Sequence, residues 1–154
     1  MNWEQANLEQ KLKFKDTSFD KILFLDVLEH LQNRDQILSE VRRILKPNGL
    51  LFLGVPNSQT SWKRLQRSAG VCSYSDPDHR IEFSEKSIRQ ILKKHKLEIE
   101  TFGYGKFDTP LRGVIDVIGG ISMSLYKKIS DWRARKTMTN PQEASGFVIV
   151  ARKV

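Results

Sequence analysis

The stretch Asp16-Thr-Ser-Phe-Asp-Lys-Ile-Leu-Phe-Leu-Asp-Val-Leu-Glu-His-Leu31 decides the fold. Ile22, Leu23, Phe24 and Leu25 form a short, unbroken apolar run bounded by Lys21 and Asp26. A run with no polar alternation suits an interior strand of a parallel sheet, covered on both faces. Phe19 can fill the core beneath that strand, and Asp20 can cap the turn that enters it. Downstream, Ile37, Leu38, Val41, Ile44 and Leu45 recur at helical spacing and make one apolar stripe. Asn33 is the expected N-cap, with Asp35 in the first turn and Lys46 in the last. Pro47-Asn48-Gly49 should stop the helix and turn the chain. A second apolar run, Leu50 to Val55, follows at once and ends at Pro56. Strand, helix and strand over about 35 residues make a βαβ unit with a right-handed crossover.

Beyond Pro56 the chain reads as a loop to Asp78, with one short helix near Trp62 to Arg67. Ser84 caps a further helix, with Ser87 three residues on, which is a cap without a full capping box. Ile88, Ile91 and Leu92 give that helix its inner face. Leu97 to Tyr104 alternates like a strand, and Gly146 to Arg152 is a last strand. Between them, Leu111 to Leu125 is rich in apolar and small residues, and Lys127, Lys128, Arg133, Arg135 and Lys136 follow. The organisation expected is one domain over 1–154, with 109–140 as a helical insertion or cap.

The 154 residues suffice for one domain. The net charge of +8 permits acidic partners, but much of the excess falls on helix faces such as Lys93, Lys94 and Lys96. A small-molecule role is therefore favoured over nucleic acid. Cys72 is the only cysteine, so an internal disulfide is impossible and a reducing, cytoplasmic setting is the default expectation. No cysteines or histidines pair at zinc spacing, so no metal site is expected. No apolar stretch has the form of a signal peptide or a membrane span.

Taken with Ile37-Leu-Ser-Glu-Val-Arg-Arg-Ile-Leu-Lys-Pro-Asn-Gly-Leu-Leu-Phe-Leu53 and Val55-Pro-Asn57, the opening stretch resembles class I S-adenosylmethionine-dependent methyltransferases of the ubiquinone and menaquinone biosynthesis type. By that resemblance Ile22–Leu25 is the family's fourth strand and Leu50–Val55 its fifth. His79-Arg-Ile-Glu-Phe-Ser84 resembles an element that follows the fifth strand, and Ala6 to Phe14 the loop before the fourth. The implied fold is α/β: a partial Rossmann-like sheet, mostly parallel with an antiparallel last strand, and helices on both faces. The implied cofactor is S-adenosylmethionine, which would meet Leu25 and Asp26 at the strand's carboxyl end and His30 as the chain turns away. Asn7 and Leu8 would flank the adenine. Relatives usually carry Asp at position 7, Pro at position 13 and Gly at position 48, where this chain has Asn7, Lys13 and Asn48.

The family opens with a strand, a glycine-rich loop and a helix, and an acidic residue after the second strand binds the ribose. Neither feature is found, and only 21 residues precede Ile22. The chain is thus expected to carry the C-terminal part of the domain, with Ile22–Leu25 an exposed apolar edge. Pairing with a second copy or another chain at that edge is one expectation. A non-catalytic half-domain that binds a partner chain or an anionic surface is the rival to an enzyme, and whether the chain acts alone is left open.

Methyl transfer needs positioning, and a base where the acceptor must lose a proton. His79 is the candidate base, weighed against a loop histidine bonded to backbone. Arg80, Trp62 and Tyr74 are candidate contacts to a small-molecule or lipid-like acceptor. Asp76 and Asp78 read as turn residues around Pro77, and Glu29 as a helix cap or a partner of Arg42 or Arg43. Leu111 to Lys136 reads as a lid over the sheet or as a helix lying on an anionic membrane.

Overall fold

The run at Ile22–Leu25 forms the end of β1, Phe19–Leu25, in the computed structural model, which describes residues 3–154. A 3-10 turn at Leu28–His30 leads to α1, Arg34–Ile44, and directly to β2, Leu45–Pro56. Then come α2 (Ser61–Ser68), α3 (Glu85–Lys94) and β3 (Leu97–Tyr104). The helices α4 (Arg112–Ile121) and α5 (Met123–Thr139) precede β4, Gly146–Lys153. The sheet order is β1-β2-β4-β3. β1 is parallel to β2, and β4 is antiparallel to both of its neighbours.

Four local readings are corrected. The helix stops at Ile44, before Lys46, and Leu45 is already extended. Pro47 cannot donate a helical hydrogen bond, and its ring crowds the preceding turn. Asn48 does take a left-handed backbone, φ 61°, but as an irregularity inside β2 and not as a reversal of the chain. Lys46 there pairs with Asp20 across the strands at 2.9 Å, so Asp20 is an ion-pair partner and not a turn cap. At α3 the capping box is complete: Ser84 Oγ accepts from the Ser87 amide at 3.0 Å, and the Ser84 amide donates to Ser87 Oγ at 2.9 Å. A serine hydroxyl stands where glutamate is usual.

The strand register sorts the sheet into two unlike faces. Ile22 and Phe24 of β1 stand beside Leu51 and Leu53 of β2 and Ala151 and Ile149 of β4. This face packs in one core with Ile37, Leu38 and Val41 of α1 and Ile88 and Leu92 of α3. His95, just past α3, clamps the two helices together through Nε2 to Asp35 at 2.7 Å, and Lys94 bonds the other oxygen of that carboxylate. These two hydrogen bonds, Lys94 first, hold the Asp35 carboxyl below its usual range. On the opposite face Leu23 is 68% exposed, Leu25 50% and Val148 52%. β1 is the end strand of the described sheet, so its outer backbone edge is bare as well.

α4 and α5 pack on each other, Tyr126 lying so close to Gly119 that a Cβ there would meet its ring at 3.0 Å. Arg133 ties α5 to the chain after β3 by donating to the Phe107 carbonyl at 2.8 Å, and Lys136 lies over the Phe107 ring. Leu111, Val114, Val117 and Ile121 remain exposed along α4. Among the described residues no helix is long and apolar enough to cross a membrane.

The two-faced sheet predicts unequal costs, read by urea unfolding. Leu53→Ala, in the fully buried core, should lose about 2–5 kcal/mol. Leu23→Thr, on the bare face, should stay within about 0.5 kcal/mol. The Asp35 clamp predicts a pH signature. A depressed carboxylate stabilises above its unfolded pKa, and that contribution is lost as pH falls through the lower folded value. The stability gap between wild type and Asp35→Asn should therefore be present at about pH 5 and close on further acidification.

Candidate functional site

β1 and β2 end together at a crevice. Leu25 pairs with Gly54, and the Asp26 amide donates to the Gly54 carbonyl at 3.1 Å. Asp26 then turns the chain with φ 52°. Gly54 eases this closeness, because a Cβ there would stand 3.3 Å from the Leu25 side chain. The crevice has a volume of about 560 Å³ and lies outside the carboxyl ends of the two parallel strands. Open α/β sheets bind their ligands at that place, and the volume is ligand-sized. Leu25, Asp26 and Glu29 line one side, Ser75, Asp76 and His79 another, and Gly146 and Phe147 of β4 a third.

A chain of buried polar groups forms the wall below His79. Lys63 of α2 and Glu82 make an ion pair in which both side chains are almost fully enclosed. Glu82 also accepts from the Ser75 amide at 2.6 Å and meets His79 Nδ1 at 3.1 Å. Burial pushes the Glu82 carboxyl up, but the hydrogen bonds from Lys63 and Ser75 outweigh it and hold the group below its usual range. With Nδ1 engaged, His79 turns Nε2 towards Glu29 Oε1, 3.9 Å away.

Glu29 departs from its expected role. It neither caps α1, which Asn33 does through the Gln36 amide, nor pairs with Arg42 or Arg43. Arg43 binds Glu40 and Asp16, and Arg42 donates to the Val154 carbonyl. Glu29 is 1% exposed, and neither carboxylate oxygen has a hydrogen-bond partner among the described residues. Burial pushes its carboxyl up, and the nearby Asp26 charge adds to this.

The other candidates fall around this centre. His30 lies edge-on to His79, ring centroids 4.7 Å apart, with Nδ1 3.4 Å from the Asp78 carbonyl. Asn7 turns the loop before β1, accepting from the Glu9 amide, and Glu9 in turn accepts from the amides of Gln32 and Asn33. Those two bonds tie the loop to the chain just before α1, and Leu8 packs against the edge of the core. Arg80 donates to the His30 carbonyl at 3.1 Å, while Trp62 and Tyr74 are exposed on α2 and its following loop. His30, Arg80, Trp62, Tyr74, Asn7 and Leu8 are not among the residues that line the crevice. Asp76 Oδ1 accepts from the Asp78 amide, closing the turn expected around Pro77. Although sequence spacing offered no metal set, Glu29, His30 and His79 each bring a ligand atom within 4.8 Å of the others. The visible signal was the Glu29-His30 pair; its third member stands 49 residues further on.

A parallel pair opening on a crevice, backed by an antiparallel strand, is an arrangement of Rossmann-like α/β folds. Residues 1–53 match the family described as a methyltransferase domain. Over 59 residues the chain is 36% identical to a ubiquinone biosynthesis O-methyltransferase of Bartonella bacilliformis, a match covering 38% of this chain and 23% of that protein. Over 90 residues it is 29% identical to a protein of Mycolicibacterium smegmatis named as an S-adenosylmethionine-dependent methyltransferase, covering 58% of this chain and 33% of that one. The crystal structure of an S-adenosylmethionine-dependent methyltransferase from Methanosarcina mazei superposes with a TM-score of 0.60 at 22% identity, over 97% of this chain and 65% of its own. The chain thus spans a third or less of the length of these curated relatives. The first third of the chain thus matches a methyltransferase-domain family, and its fold is that of solved S-adenosylmethionine-dependent methyltransferases.

The Lys63–Glu82 pair gives a direct test of the wall. Lys63→Met strands a buried carboxylate and should cost about 3–5 kcal/mol. In Lys63→Met/Glu82→Leu most of that loss should return, measured by chemical denaturation of both variants.

Proposed function

We propose that this chain forms the acceptor side of a site for methyl transfer from S-adenosylmethionine to a small-molecule or lipid-like acceptor, as part of a larger catalytic unit. The observation that carries the reading is the open crevice at the tips of β1 and β2, beside the bare edge and face of β1. The residues present fit the nucleoside end of the cofactor: half-exposed Leu25 offers an apolar platform, and Asp26 offers backbone and carboxylate at the rim. When bound there, the cofactor supplies a methyl group on a sulfonium, and the sulfur leaves as a neutral thioether. His30 borders the nucleoside, and Asn7 and Leu8 stand on the loop that reaches the same end of the strand. His79, aimed by Glu82, takes the proton of an acceptor hydroxyl at Nε2 as the oxygen attacks. Arg80, Trp62 and Tyr74, flanking the loop that carries His79, contact the distal part of the acceptor.

The exposed apolar side of α4, followed by the basic residues of α5, supports a lipid-like acceptor and a cap that touches an anionic membrane. The bare edge of β1 supports a second reading, in which the chain binds a further chain or a second copy there through backbone pairing.

The nucleoside contact is tested by backbone NMR of the chain titrated with S-adenosylhomocysteine. Shifts should cluster at Asn7, Leu25, Asp26 and His30. Shifts confined to α3 or β3, or none at millimolar ligand, contradict the reading. For the cap, sedimentation with anionic vesicles should recover the chain at low salt and lose it for Val117→Asp/Ile121→Asp. Recovery that is equal for both proteins contradicts the membrane contact.

A further inference from the structure

The geometry points to a divalent cation site formed by Glu29, His30 and His79, two of which, Glu29 and His79, line the crevice. Three independent features converge on it. The first is Glu29 itself: a carboxylate 1% exposed, without a hydrogen-bond partner for either oxygen. Buried polar groups are almost always satisfied, and an unpaired buried carboxylate is costly. A cation would satisfy both oxygens at once. The second is convergence: each of the three side chains brings one ligand atom within 4.8 Å of the other two. The third is the outer layer. His79 Nδ1 is held by the Glu82 carboxylate and His30 Nδ1 faces the Asp78 carbonyl, while His79 Nε2 faces Glu29 Oε1 at 3.9 Å. Histidines that bind metals characteristically give their other ring nitrogen to a carboxylate or a backbone carbonyl, which fixes the tautomer and raises the basicity of the ligating nitrogen.

The same wall explains why Glu82 and Lys63 lie so deep. Lys63 neutralises Glu82, so Glu82 orients His79 without adding a second bare charge beside Glu29. Two imidazoles and one carboxylate suit a borderline divalent ion of the zinc or cobalt type. Three protein ligands leave coordination positions open, and Glu29 and His79 both face the crevice.

The chemical consequence rests on the methyl-transfer reading; uptake of the ion does not. A cation held there is a Lewis acid towards an acceptor hydroxyl that reaches it through the crevice. The hydroxyl gives its proton to solvent and its oxygen lone pair forms the new C–O bond. The C–S bond breaks with its electron pair left on sulfur. With the ion bound, His79 is a ligand, and its proton-accepting role belongs to the ion-free site; the acceptor class narrows to hydroxyl compounds able to present an oxygen to the ion.

The test is a titration of the full 154-residue chain, free of any polyhistidine tag, with cobalt(II) chloride, followed by visible absorption and calorimetry. One equivalent should bind. His30→Gln, a change at a partly exposed side chain that leaves the fold intact, should weaken binding by about tenfold or more. Glu29→Gln should do the same while its melting temperature without metal is no lower than wild type, because the substitution removes an unpaired buried charge. His95→Gln, remote from the crevice, should bind as wild type does. Absence of saturable uptake by the folded wild-type chain at millimolar cobalt overturns the proposal. So does binding by folded His30→Gln or Glu29→Gln within about twofold of wild type. Cobalt uptake without nucleoside contact at Leu25 and Asp26 would leave the ion site standing and remove the methyl-transfer reading, so the two failures are told apart.

Discussion

β2 is the element on which every other part of the molecule is registered. Leu51, Leu53 and Val55 are buried on one side of it, and β1 and β4 hydrogen-bond to its two edges. Because side chains alternate along a strand, a slip of one residue would turn that buried set outward. Register is therefore fixed by burial, and so is the point where β1 stops. Gly54 lets the end of β1 come close, and Gly146 sits where any Cβ would strike the Val55 carbonyl at 2.7 Å. Those two close approaches set the rim of the crevice.

From that rim the site follows by short steps. β1 stops at Leu25, the turn at Asp26 throws the chain into Leu28–His30, and Glu29 is carried beneath the crevice. The loop that returns after α2 is pulled against it by two backbone bonds, the amides of Arg80 and Ile81 both donating to the Glu29 carbonyl. These bonds bring His79 to Glu29 from the far side of a 50-residue separation. A buried ion pair, a histidine and a bare carboxylate then lie in one line. Buried polar groups in such a line cost stability unless each is satisfied. The unsatisfied member is the one that faces the crevice.

Much of the scaffold was legible from local pattern. The unbroken apolar runs gave β1 and β2, helical spacing gave α1 and α3, and Asn33 and Ser84 cap as their chemistry requires. The boundary at Lys46 was misread because proline and asparagine after a helix usually signal a reversal. Here the strand absorbs them as an irregularity. The role of Glu29 was not legible either. Spacing along the chain suggested arginine partners on α1, but the side chain turns inward, away from that helix, and only tertiary packing decides this. The cation set escaped for the same reason, since two of its members are neighbours in sequence and the third arrives through the fold. The expectation that Ile22–Leu25 lies at an edge agrees with the place of β1 at the end of the described sheet.

The methyltransferase-domain match over residues 1–53 and the open strand tip together support one proposal, that a nucleoside lies across the end of β1. A crystal structure of the chain grown with S-adenosylmethionine or its demethylated product examines it most directly. The account predicts density for the nucleoside against Leu25 and Asp26, with the crevice beside Gly54 open to the acceptor. A structure in which side chains of this chain fill that tip, with the ligand lodged elsewhere, would contradict it.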